Sequence, residues 1–197
     1  MMVSVGKPKL ITALIMTTIV ISWALFLFFY SPIIYMKQFS IILFLISIFI
    51  ILPGITYPHL IWKVDDKTLQ YTYYKNHLNK IIAFFNQYLL HKSVDYNIKI
   101  KLSAIQYIKV TYVAMPRAFL WGVGYDVLFK VKTRDNSVYV FKALVFGYQR
   151  DNFNRAVEFI KSKGIYFVDE YDILEQLKVS PENICYYLEK IDKEKNK

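Results

Sequence analysis

The chain has one cysteine, three histidines, six glycines and six prolines among 197 residues. A single thiol, Cys185, can close no internal disulfide and supply no cysteine metal cluster, and it suits a reducing compartment. His59, His77 and His91 are 18 and 14 residues apart, a spacing that fits no ligand pair on one helix. The scarcity of glycine leaves no phosphate-cradling loop. The one stretch that resembles such a loop, GVGYD at 122–126, lacks the third glycine and opens a strand, not a helix. No nucleophile elbow is present, and no carboxylates stand at a useful spacing. Asp65-Asp66 suit a tight turn, because neighbouring side chains on a strand point to opposite faces. The expectation is a protein that is not an enzyme and carries no cofactor or metal.

Charge is the next absence. Leu10 to Met36 contains no charged residue, and neither does Gln38 to Trp62; Lys37 stands alone between them. The first run, LITALIMTTIVISWALFLFFY (10–30), has 21 residues. At about 1.5 Å per residue it reaches roughly 31 Å, the thickness of a bilayer's hydrocarbon core. The second run covers about 39–58 and holds Pro53-Gly54 near its end. Neighbouring groups can satisfy the backbone that such residues free in a membrane helix. The first run is too long for a secretory signal peptide, and no small-residue cleavage site follows it. The spans offer Thr12, Thr17, Thr18, Ser22, Ser40, Ser47 and Thr56 but nothing ionisable, which argues against a conducting path. Small residues look too scattered for a packing motif.

SPIIYMKQ (31–38) then reads as a turn at one membrane face, with Pro32 ending the helix and Tyr30 and Tyr35 at the interface. Lys7 and Lys9 precede the first span, and Lys63, Lys67 and Lys75 follow the second, against Lys37 alone in the turn. The positive-inside rule therefore expects a multi-pass plasma-membrane protein with both termini cytoplasmic.

The remaining charge is unevenly spread. Residues 58–164 carry 17 Lys/Arg against 7 Asp/Glu, whereas 165–197 carry 5 against 8. A tethered basic domain is drawn to anionic headgroups, by about 1 kcal/mol per lysine close to the surface. Nucleic acid is not an expected partner, since no recognition helix, zinc motif or RNA-binding signature accompanies the charge.

Alternation and turn residues predict a hairpin over 59–74, strands over 95–114, and a second hairpin over 124–144 that turns at 134–137. KNHLNKIIAFFNQYLLHK (75–92) is an amphipathic helix. Its Leu78, Ile81, Ile82, Phe84, Phe85, Tyr88 and Leu89 share an arc of roughly 160°. It either lies in the headgroup region or caps the domain's own core. MPRAFLWGVG (115–124) is a loop whose Phe119 and Trp121, beside Arg117, either dip into the membrane or fold back on the core. In QRDNFNRAVEFIKSKG, Asp151 or Asn152 can cap a helix whose apolar stripe is Phe153, Ala156, Val157 and Ile160, ended by Gly164. A short helix near 172–178 and another after Ser180-Pro181 complete a helical tail, whose acidic face can fold back on the basic domain.

Six or seven strands followed by one amphipathic helix, in WKVDDKTLQY, IKIKLSAIQYIKV, YDVLFKVKTRDNSVYVF and NFNRAVEFIKSKG, resemble the pleckstrin-homology-like (PH-like) plan. Two spans ahead of such a domain look like small bacterial PH-like membrane proteins, including EbsA-like envelope proteins and bacteriocin-immunity proteins. The resemblance implies an α+β chain: a transmembrane hairpin (1–58), a PH-like antiparallel β-barrel or sandwich with a C-terminal capping helix (59–164), and a helical tail (165–197). It supplies no catalytic residue.

The functional expectation is a basic cytoplasmic module that binds anionic lipid or a membrane-protein partner in a scaffold or envelope role. The alternative is self-immunity, with a membrane-active bacteriocin peptide as partner. The residues expected to bind are Lys99, Lys101, Lys109, Arg117, Phe119, Trp121, Lys130, Lys132 and Lys142. A solvated strand face that merely keeps the domain soluble would display the same lysines.

Overall fold

The computed structural model describes residues 2–6, 8–117, 122–143 and 150–195. They form two compact units, one of 8–61 and 72–96, the other of 2–6, 62–71 and the chain from 97 onward.

The first unit is built on two long apolar helical runs. Helix α1 covers Leu10–Tyr30. The second run starts with α2 (Ile34–Ile46), widens into a π-helical turn at Ser47–Ile51, and ends in α3 (Leu52–Thr56). The cause of the widening is Pro53, which has no amide hydrogen and whose ring would collide with the carbonyl four residues earlier. Within the wider turn the Leu52 amide reaches back to the Ser47 carbonyl, five residues away. Ser47 and Thr56 return their hydroxyls to the carbonyls of Leu43 and Leu52, both at 2.7 Å.

The two runs are antiparallel, and the Lys9 amide bonds the Thr56 carbonyl at 2.9 Å where the hairpin's ends meet. Ala13, Thr17 and Ala24 of α1 are buried, as are Ser40 and Ser47 of the second run. These small residues, scattered in sequence, line the seam and let the backbones approach, as in membrane helix pairs. Elsewhere the helices are bare: only 17% of the first apolar window and 22% of the second is buried. A core helix of a water-soluble domain would be mostly covered. Both runs are long and apolar enough to cross a membrane.

The same unit contains helix α4 (His77–Tyr88), which the Asn76 side chain caps by accepting from the Asn79 amide at 3.0 Å. Tyr57, Ile61 and Tyr74 form a buried cluster against Ala83, Phe84, Tyr88 and Tyr96. The Tyr57 hydroxyl donates to the Gln87 side-chain oxygen.

The second unit carries two four-stranded sheets. Strand β1 (Val3–Val5) pairs antiparallel with β2 (Leu60–Val64), which is followed in sheet order by β3 (Thr68–Tyr73) and β4 (Ile98–Lys101). The other sheet has the order β7 (Val138–Lys142), β6 (Gly122–Thr133), β5 (Ile105–Arg117) and β8 (Phe167–Asp169), with β8 parallel to β5. Among the described residues neither sheet closes into a barrel. The chain is a mixed α+β protein with two long apolar helices near its N-terminus.

The core lies between the sheets. Trp62 is fully buried, its ring 6.0, 5.8 and 6.2 Å from those of Phe129, Phe141 and Phe153, and its indole N–H bonds the Ala143 carbonyl at 3.0 Å. Helix α5 (Arg150–Ser162) buries the expected Phe153, Ala156, Val157 and Ile160. Gly164, at φ 78°, supplies the left-handed residue that stops it. Asp151 and Asn152, expected to cap the helix, instead lie within its first turn, because the helix already begins at Arg150. Helices α6 (Ile173–Val179) and α7 (Ile184–Lys195) close the unit. Ser180 makes no side-chain cap. The tail folds back through Asp192, which accepts from the Tyr112 hydroxyl at 3.0 Å and the Tyr125 hydroxyl at 3.3 Å.

Candidate functional site

Of the nine residues singled out from the sequence, the six lysines do not form one patch. Phe119 and Trp121 lie outside the described residues, and Arg117 ends strand β5. The six lysines divide between the outer faces of the two sheets.

On β4 the chain alternates, with Ile100 buried inward and Lys99 and Lys101 exposed outward. Lys99 stands opposite Gln70 of β3, and Lys101 opposite Thr68. The β2–β3 turn is closed by the Asp65 amide on the Thr68 carbonyl at 3.0 Å, which sets Lys63 across from Gln70. One row of the outer face therefore runs Ser4, Lys63, Gln70, Lys99. Lys63 was missed in the sequence, although its place two residues before Asp65 in an alternating run marks it as outward-facing.

Asp65 stands close to this row, and its carboxylate is engaged by its own turn. Its carboxylate accepts from the amides of Lys67 and Thr68, the Thr68 hydroxyl and the Gln70 amide, at 2.7–3.1 Å. Burial pushes its carboxyl up, but the hydrogen bonds from Lys67 and Thr68, together with the nearby positive charge of Lys63, outweigh it and hold it below the usual aspartate range. Lys99 and Lys101 have no ion pair among the described residues.

The outer face of the other sheet is different in kind. Lys109 lies directly across from Lys130, and Tyr107 across from Lys132; Lys142 faces Leu128. Like charges opposite one another are destabilising. Acids relieve the crowding: Lys109 bonds Glu170 at 2.5 Å and Lys142 bonds Asp126 at 2.5 Å. The bond to Glu170 raises the Lys109 ammonium above its ordinary value, and the same bond lowers Glu170. Lys132 donates to the Asn136 carbonyl at 2.9 Å. Only Lys130 is exposed without an ion pair among the described residues, and it is flanked by the bare Val138 and Val140. This face is a mixed, largely neutralised surface.

What the geometry brings together is thus Lys63, Lys99 and Lys101 on a polar strand face with no apolar centre. Three ammonium groups on one strand face can attract a multivalent anionic surface. Among the described residues no cluster of three or more histidine, cysteine, aspartate or glutamate side chains could hold a metal ion. Comparison of the chain with protein-family models, with curated proteins and with solved structures found no match.

Proposed function

We propose that the chain is a non-enzymatic integral membrane protein whose helical hairpin anchors a cytoplasmic module, PH-like in plan, that binds the anionic surface of the same bilayer and serves as a membrane-attached scaffold. The observation that carries this reading is the outer strand face that displays Lys63, Lys99 and Lys101. These cations are tethered by chain connectivity to two bare apolar helices. At about 1 kcal/mol per lysine near anionic lipid, three of them contribute on the order of 3 kcal/mol of surface attraction. The PH-like plan is supported by strand order, with β1–β4 in one sheet, β5–β7 in the next, and then the amphipathic α5. Three features depart from it: the hairpin between β1 and β2, helix α4 between β3 and β4, and the parallel strand β8.

The test uses the full chain reconstituted into vesicles of phosphatidylcholine alone or with about a third phosphatidylglycerol. Lysines are labelled with an amine-reactive reagent and read by mass spectrometry, with the exposed Lys178 of α6 as control. Lys63, Lys99 and Lys101 should be protected several-fold in the anionic vesicles at low salt, and the protection should vanish near 0.5 M salt, where the Debye length falls to about 4 Å. Equal labelling in both lipids at every salt concentration overturns the proposal.

A further inference from the structure

Helix α4 packs one side on its own unit and leaves a second apolar stripe bare. The side turned toward its own unit carries Lys80, Ala83, Phe84, Gln87 and Tyr88; Lys80 is only 7% exposed, and the others are half-buried. Three large apolar residues stand outside: Leu78 is 60%, Ile82 51% and Leu89 62% exposed. At 100° per residue, Leu78, Ile82, Phe85 and Leu89 fall within an arc of about 60°, so this is one continuous stripe.

Two contacts join α4 to the hairpin, one from the stripe and one from the inward side. The Phe85 ring lies 6.2 Å from that of Phe49, which belongs to the π-helical turn of the second run and is itself 47% exposed. The Lys80 ammonium reaches the Gly54 carbonyl at 3.5 Å, at the end of that run where helix carbonyls lack amide partners. Burial lowers the proton affinity of Lys80. The position of His77 is equally tight: a Cβ at Gly54 would come within 2.7 Å of its ring. Exposed lysines, Lys75 and Lys92, bracket the helix.

We infer that α4 is an in-plane membrane helix, its Leu78–Ile82–Phe85–Leu89 stripe embedded at the headgroup–acyl boundary of the bilayer that the hairpin crosses. The occupant of the stripe is lipid, because the stripe continues the hairpin's bare apolar surface and its ends carry cations suited to phosphate. Helices of this kind sink their apolar face about 5–10 Å into the boundary. Lys80 and His77 fix α4 to the end of the second span, so the helix sets the depth of that end. This inference rests on the reading of the hairpin as membrane-spanning.

The test is depth measurement by spin labelling of the full chain in vesicles, with native Cys185 replaced by serine. Single cysteines are placed at Leu78, Ile82 and Leu89, at Asn79 on the flank of the stripe, and at Ile42 within the second span. All five positions are exposed, so the labels displace no packed group. Labels at 78, 82 and 89 should collide with oxygen at least several-fold more readily than with a water-soluble nickel chelate, with Asn79 showing the reverse. Should the three collide with nickel as Asn79 does while Ile42 stays oxygen-rich, α4 is not embedded and the hairpin reading stands. Labels shielded from both reagents would mean that protein covers the stripe, which also overturns the inference. Nickel access at Ile42 would remove the spanning hairpin and this inference with it.

Discussion

Trp62 shows how much one side chain can hold. It is completely buried, touches three aromatic rings from β6, β7 and α5, and gives its only polar hydrogen to Ala143. Truncation removes ring contacts from both sheets and from the helix, and Trp-to-Ala changes of this kind cost about 3–5 kcal/mol. Against a total stability on the order of 5–15 kcal/mol, that is a large share. Trp62→Ala should therefore lower the denaturant midpoint of the full chain in micelles sharply, followed by far-ultraviolet circular dichroism. Trp62→Phe keeps much of the packing but strands the Ala143 carbonyl, at about 1–3 kcal/mol. If the alanine variant unfolded within 1 kcal/mol of wild type, the inter-sheet core would not depend on this ring. The lysines teach a different lesson at this scale. Strand alternation correctly sends Lys99 and Lys101 outward, because it is a local property. It cannot reveal that Lys109 is held by Glu170, 61 residues further on, or Lys142 by Asp126, since such pairing is settled only when distant strands meet.

For the elements, legibility follows length and locality. The β2–β3 and β6–β7 hairpins and α5 announce themselves through period and turn residues, and they stand where expected. Strands β1 and β8 have three residues each, too few for a period, and exist only through partners far along the chain. The π-helical turn follows from Pro53 only once the helix around it is given. Helix α4 marks the boundary of what a period can say: its apolar stripe is evident, but the same stripe serves a protein core or a lipid boundary. Its start is more secure, because Asn76 accepts from the Asn79 amide. Loss of such a cap costs about 1 kcal/mol, equivalent to roughly a five-fold rise in local opening. In Asn76→Ala, hydrogen exchange at the first turn of α4 should quicken by about that factor, with α5 amides as the unchanged reference. Unaltered exchange at Asn79 would show that packing on the hairpin, not the cap, secures this end.

In the whole molecule, the order of strands constrains the path of the chain. Strand β1 precedes the hairpin and β2 follows it, yet Val3 pairs with Val64 and Val5 with Trp62 in one sheet. A chain that leaves a sheet through two apolar helices and returns to the neighbouring strand must begin and end its excursion on the same side of any membrane it crosses. The Lys9–Thr56 bond where the helices' ends meet requires the same, and it sets the Ser31–Ile33 connection at the far end. On the proposed reading the number of crossings is then even, and the lysine bias would set the orientation, with the connection outside and the sheets within. A cysteine at Ser31, in a Cys185→Ser background, should react with a membrane-impermeant maleimide added to intact cells. A cysteine at the exposed Tyr186 of α7, in the same background, should react only after permeabilisation. Labelling of both positions before permeabilisation would leave the hairpin uninserted, and the reverse pattern would place the basic sheets outside, away from the anionic surface they are proposed to bind.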